Sequence, residues 1–179
     1  GHGAQAVMVA LSSRTTGSPQ AAQAFIPPVT LRASTPRAMS DCVFCKIVGH
    51  AIPASVVCED ADTLAFMDLG AVNPGHVLVV PTAAVDHWID LEPALAAHLF
   101  DVARVIGRAQ AAAFGCARVG LIVAGYEVPH THVHVIPTNS MSQLNFANAA
   151  TKVDPADLES AAEAIRAQLR SAGHTEVAT

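Results

Sequence analysis

Between residues 55 and 81 short apolar runs alternate with turn-forming residues. "SVVCED" (55–60) and "TLAFMD" (63–68) are each about a strand long, and the two-residue link Ala61-Asp62 predicts a hairpin. Asn73-Pro74-Gly75 is a turn, and "HVLVVP" (76–81) follows it as a third strand. The period then changes. Leu95, Leu99, Val102, Ile106, Ala109 and Ala113 recur at three- and four-residue spacing, which is one face of a helix. Asp90 reads as its N-cap, Pro93 lies in its first turn and Gly115 ends it. "VGLIVA" (119–124) and "THVHVIP" (131–137) return to strand character across a Gly125–Pro129 turn. A last helix opens at Asp154-Pro155, with Leu158, Ala162, Ile165 and Leu169 on one side.

Neighbouring strands joined by short turns favour an antiparallel sheet with helices packed on it. The expectation is therefore an α+β fold: a five-stranded antiparallel sheet in the order β-β-β-α-β-β, a long helix on it, and a C-terminal helix. No internal repeat is present. Residues 1–38 are rich in Ala, Ser, Thr, Gln and Pro without a sustained period, and read as a disordered tail. That tail is either an upstream extension or, around Gly1-His2-Gly3, a remnant of expression; Met39 reads as the functional start. The expected division is thus tail 1–38, catalytic domain 39–140 and C-terminal extension 141–179.

Composition narrows the partners. Hydrophobic residues are 51% and charged residues 14%, so most of the chain should be packed. A formal charge of -5 offers no broad basic field, which argues against duplex nucleic acid as partner. No apolar run reaches the roughly 18 residues of a membrane span. The start, "GHGAQAVMVALSS", lacks the charged and apolar regions of a secretory signal. Four cysteines without such a signal do not suggest a disulfide scaffold. A soluble, cytoplasmic protein is expected.

The chemistry concentrates in "HTHVHVIP" (130–137). On a strand, residues two apart share a face at a spacing of about 6.6–7 Å. His130, His132 and His134 would then share one face, with Thr131, Val133 and Val135 on the other. One such histidine is most often a polar surface residue; three in strict alternation call for chemistry. Two readings stand side by side. Neutral imidazoles ligate metals. Alternatively, one imidazole attacks phosphorus while its neighbours donate to the phosphate oxygens. That needs a ring with Nδ1–H anchored and the Nε2 lone pair free, and the middle histidine, flanked on both sides, suits it.

"PHTHVHVIP" resembles the signature of the histidine triad (HIT) family of nucleotide hydrolases and transferases. The similarity continues upstream through "CVFCKIV", "IPASVVCEDADTLAFMD" and "NPGHVLVVP", and covers about residues 41 to 138. The resemblance implies a purine nucleoside phosphate substrate broken at its α-phosphorus, by the nucleoside phosphoramidase or dinucleoside polyphosphate hydrolase type of reaction. His132 would attack and form a covalent nucleotidyl-histidine, which water resolves. His130 and His134 would orient it and contact the phosphate, and His76 would be the fourth histidine. Asp68 matches the family's acidic residue for the ribose hydroxyls. Phe44, Ile47, Ile52, Phe66 and Leu69 match positions lining its base pocket, while each alone reads equally as core packing. No cofactor is required. Homodimerisation is implied through the long 91–114 helix and the triad-side sheet edge, and "TNSMSQLNFANA" could reach a neighbouring active site.

Two features depart from the family pattern. Tyr126 and Glu127 stand where Gln and Ser or Thr are usual before the triad, Ala124 is nearest the usual Asn, and Thr131 replaces an aliphatic. A carboxylate at 127 facing a phosphate would repel it. Cys42-Val43-Phe44-Cys45 is a zinc half-site. Some family members complete it with the first triad histidine, here His130, and a histidine after the third strand. Ala84 stands at that place and His87 three residues on, so a structural zinc would use Cys42, Cys45, His87 and His130. Without metal, the pair reads as two buried thiols. Cys58 and Cys116 read as core residues, and His50, His98 and His174 as surface or helix positions.

Overall fold

The computed structural model describes residues 42–179. The tail read over 1–38, and Met39, lie outside the described residues. Five strands form one antiparallel sheet: β1 (Val56–Glu59), β2 (Thr63–Met67), β3 (Val77–Pro81), β4 (Arg118–Ile122) and β5 (Val133–Thr138), in the order β1-β2-β3-β5-β4. The helices are α1 (Val43–Val48), α2 (Pro93–Phe114) and α3 (Pro155–Ser171). The α+β expectation holds. No helix among the described residues is long and apolar enough to cross a membrane.

Local chemistry explains most boundaries. The β1–β2 hairpin turns on Asp60, whose Oδ1 accepts from the backbone N–H groups of Asp62 and Thr63. The N-cap of α2 lies two residues after the expected one. Glu92 precedes Pro93 at the first helical position, whereas Asp90 belongs to a 3-10 turn, Trp88–Asp90, capped by His87. Proline has no N–H to satisfy and a preset φ, so the helix starts there without a side-chain cap. Gly115 ends α2 in the left-handed region at φ 60. Asp154 caps α3 by accepting from Ala156 N–H. α1 has no counterpart among the expected elements. It is six residues long, under two turns, and its cap is a thiol: Cys42 Sγ accepts from Cys45 N–H at 3.2 Å.

Strand alternation divides the core in two. Val77 and Val79 of β3 pair with Val135 and Val133 of β5. Together with Ala65 and Met67 they pack under α2 and α3 through Leu99, Ala103, Ile106, Leu158, Ala162, Ile165 and Leu169. Leu64, Phe66, Leu78 and Val80 point the other way and pack with Phe44 and Ile47 of α1. Truncating a fully buried residue such as Leu99 or Ile165 to Ala costs about 2–5 kcal/mol. The segment read as an extension, 141–179, contributes Leu158, Ala162, Ile165 and Leu169 to this core. Buried Arg166 donates from Nε to Val56 O, and Glu159 and Glu163 neutralise its guanidinium. After α3 the chain runs along the outer edge of β1, with Glu59 N–H donating to Glu176 O and Ala178 N–H to Val57 O.

The turn into β3 admits only glycine at its tip. Gly75 has φ +85, and a Cβ there would lie 2.4 Å from the Phe114 ring. The next residue is His76, which alternation places on the same face as Leu78 and Val80.

Candidate active site

His132 and His134 share the α1 face, their ring centroids 5.0 Å apart. His132 Nδ1 lies 2.6 Å from the carbonyl oxygen of His130. A carbonyl only accepts, so Nδ1 carries the proton and Nε2 keeps its lone pair. The edge of Phe44 packs on this ring at 5.1 Å, fixing its tilt. This is the anchored tautomer that a nitrogen nucleophile requires.

Beyond His134 the row continues through His76, not along β5. His76 is fully buried, and its Nε2 is 3.0 Å from His134 Nδ1. Its Nδ1 meets two groups: Val72 N–H donates to it at 3.2 Å, and Asp68 Oδ2 lies 3.3 Å away. Each group supports one tautomer. With Val72 donating, His76 Nε2–H points at His134, whose own Nε2 then carries a proton and can act as an acid. With Nδ1–H on Asp68 the pattern reverses, and His134 Nε2 becomes a base. Burial, then the neighbouring His76 and His132, pull His134 down to about 3, and burial lowers His76 against the pull of Asp68. Asp68 Oδ1 is held by Gly70 N–H at 2.9 Å. Phe146, in a 3-10 turn after β5, stands edge-on to His134 at 4.9 Å and 6.4 Å from His76. Asn73 ties that segment down by donating to Pro137 O and Gln143 O. The post-triad segment therefore covers its own site within one chain. The contact of Phe146 was not legible, because only the return of the chain creates it.

His130 is different. Regular pairing of β5 begins at Val133, so His130 precedes the strand and turns out of the row. Its Nε2–H donates to Pro81 O at 2.8 Å, which leaves Nδ1 as a lone pair. That lone pair faces Cys42 Sγ at 3.5 Å and Cys45 Sγ at 3.4 Å. The expected row of three imidazoles is thus a row of two extended by His76. His130 orients His132 through its backbone carbonyl, and both its ring nitrogens are engaged away from the row.

The donor set at the cysteines fits zinc. Two sulfurs and an imidazole lone pair lie within 4.8 Å of one another. Burial, then hydrogen bonding to Cys42 and its charge, push the Cys45 thiol up to about 11, a cost that a coordinated cation removes. His87 is not in this group: it is exposed, and its Nδ1 accepts from Ile89 N–H as a helix cap. The expected fourth ligand is thus placed elsewhere by the 3-10 turn. Asp68, His76 and His134 form a second group within the same span. Neither of these groups of three contains two triad histidines.

The expected base-pocket residues separate. Phe44, Ile47 and Phe66 are buried together with Ile52 packed against them, whereas Leu69 is 70% exposed and outside that cluster. Tyr126 and Glu127 are exposed, and no hydrogen bond or ion pair joins either to a histidine among the described residues. His98 pairs with Asp60 at 2.8 Å and His50 with Glu59 at 3.3 Å, both away from the site.

Comparison with known proteins agrees with this geometry. The HIT domain family pattern matches residues 50–141. "Protein hit" of Bacillus subtilis is 33% identical over 141 residues, covering 73% of this chain and 96% of that protein. Adenosine 5'-monophosphoramidase hnt1 of Schizosaccharomyces pombe is 26% identical over 135 residues, 72% of this chain and 98% of its own. Among solved structures, a zinc-bound histidine triad family protein from Mycobacterium smegmatis superposes with a TM-score of 0.65 at 26% identity, covering 75% of this chain and 97% of that one.

Proposed function

The chain belongs to the HIT domain family, and on that premise we propose that it hydrolyses or transfers a nucleoside monophosphate group through a nucleotidyl-His132 intermediate. The observation that carries this reading is the 2.6 Å anchor between His132 Nδ1 and His130 O. It leaves the Nε2 electron pair free for an in-line attack on the α-phosphorus. As the N–P bond forms, the bond from phosphorus to the leaving group breaks, and His134 Nε2–H protonates the departing atom. The His76–His134 pair enters this step, with the anionic phosphate bound, carrying one extra proton balanced by the Asp68 carboxylate 3.3 Å from His76 Nδ1; it becomes neutral as the leaving group is protonated and recovers that proton from water in the next step. In the second step His134 takes a proton from water, the oxygen attacks phosphorus, and the electron pair of the N–P bond returns to His132. Ring N–H groups offset charge developing on the phosphoryl oxygens.

The substrate class is a purine nucleoside phosphoramidate or dinucleoside polyphosphate, bound with its nucleoside toward Phe44 and its ribose toward Asp68. A relative matched over 98% of its own length bears the name of a phosphoramidase, which supports the first of these. Zinc at Cys42, Cys45 and His130 would clamp α1 against the start of β5 and so hold the His130 carbonyl in place. The same reading puts the enzyme in the cytoplasm as a homodimer. In support, the outer edge of β4 exposes Leu121, and α2 exposes Phe100. Light scattering should give twice the chain mass. The function itself is tested by mass spectrometry of protein mixed with a purine phosphoramidate and quenched in alkali. A nucleoside monophosphate adduct on His132 is expected. Turnover by His132→Ala at the wild-type rate would overturn the reading.

A further inference from the structure

Gln110 lies on α2 and is fully buried among apolar neighbours of the sheet. Its Nε2 donates to Gly75 O at 2.8 Å and to Val135 O at 2.9 Å. Gly75 immediately precedes His76, and Val135 immediately follows His134. The β3–β5 ladder starts at the Val77–Val135 pair, so the strands offer Gly75 O no further rung. A primary amide nitrogen has two hydrogens, and both are used. Reversing the amide would set its oxygen against two carbonyl oxygens, so chemistry fixes the orientation. Oε1 is buried with no hydrogen-bond partner. A core glutamine whose oxygen bonds nothing contributes through its donors alone.

We propose that Gln110 is a positioning residue for the active site. Its two donated bonds tie the turn before His76 to the strand after His134, and so hold the 3.0 Å contact between His76 Nε2 and His134 Nδ1. Gln110 touches no reacting group and acts only through backbone on the far side of the sheet. The consequence for turnover rests on the proposed function; the consequence for the His76–His134 contact does not.

The test uses the full chain labelled with nitrogen-15 histidine, as wild type and as Gln110→Met, a side chain of similar length without donors. In the wild type the ring proton shared by His76 and His134 is expected to be observable and slow to exchange. In Gln110→Met its exchange should accelerate about tenfold, while backbone amide dispersion elsewhere is retained. With a purine phosphoramidate, kcat should fall about tenfold and KM stay within about twofold, as for a small misplacement of an acid–base pair. An unchanged ring proton in folded Gln110→Met overturns the proposal. So does a lowered Tm with an unchanged ring proton and kcat, since that outcome assigns Gln110 to core packing. Should Gln110→Met not fold, Gln110→Asn withdraws the donors by one methylene, and the same signal decides in the same way. Loss of the ring proton in a protein without turnover on any substrate sustains the positioning role and sinks the proposed function instead.

Discussion

On one side of His132, His130 turns away to meet two thiols; on the other, His134 meets a second histidine backed by a carboxylate. Both ends start from the same residue type, four positions apart in the chain. Their neighbours differ because α1 brings sulfur to one end, while the Asn73-Pro74-Gly75 turn brings His76 and Asp68 within reach of the other. The first end has both ring nitrogens spoken for and suits a fixed structural tie. The second contains a ring nitrogen whose proton can sit on either side, and suits proton transfer. The difference teaches that imidazole chemistry is decided by the partner on each nitrogen rather than by the motif.

The largest expected effect lies between the two ends. His132→Ala should lower turnover by about 10⁴-fold or more while nucleotide binding survives, as for loss of a covalent nucleophile. Single-turnover kinetics with isothermal binding would check both halves of that statement. Next comes the proton-transfer end. Asp68→Asn should lower kcat by roughly 10–100-fold, and a loss confined to KM would reduce Asp68 to a ribose contact.

Acid stability separates the ends less sharply. His134 has a folded value of about 3, set first by burial, against an ordinary 6.5. The unfolded chain therefore binds more protons between those values. The stability from keeping the ring neutral is full above about pH 6.5, falls as pH falls, and is fully lost at about pH 3. His76 and His130 are lowered in the same direction, also by burial first. Each such histidine steepens the loss by up to about 1.4 kcal/mol per pH unit. Urea titrations at pH 7, 6 and 5 should show the midpoint dropping, with a shallower drop in His134→Gln. The smallest effect on turnover belongs to the cysteine end. On the proposal that zinc sits at Cys42, Cys45 and His130, Cys42→Ser should abolish zinc binding and lower Tm by about 5 °C, with kcat of the folded protein within about threefold of wild type. Elemental analysis beside a melting curve would check it. A Cys42→Ser variant that loses activity as completely as His132→Ala would erase the distinction between the ends.

The strands and the two long helices were legible because each carries a local signal: short apolar runs bounded by turn residues for β1 to β5, three- and four-residue recurrence for α2 and α3. α1 was not, since six residues cannot establish a period, and its thiol cap looked like a metal half-site alone. The start of α2 shifted from Asp90 to Glu92 because proline geometry outweighs a better capping side chain two residues earlier. Within the site, the middle histidine and its anchored Nδ1 followed from the motif. The departure of His130 from the row did not, because a shared face presupposes a strand, and pairing begins only at Val133. His87 was the wrong distance from the cysteines for the same kind of reason: a local 3-10 turn claimed its ring. Leu69 matched by position, yet it falls in the loop after Asp68, largely exposed and outside the cluster around Phe44.

The chain by itself determined periodicity, turn chemistry and which residue types could react, because those depend on neighbours within a few positions. Only the tertiary structure decided which groups meet the ring nitrogens of His130 and His76. Those groups are the Cys42 and Cys45 thiols, Pro81 O, Val72 N and Asp68, whose positions come from packing on and across the sheet.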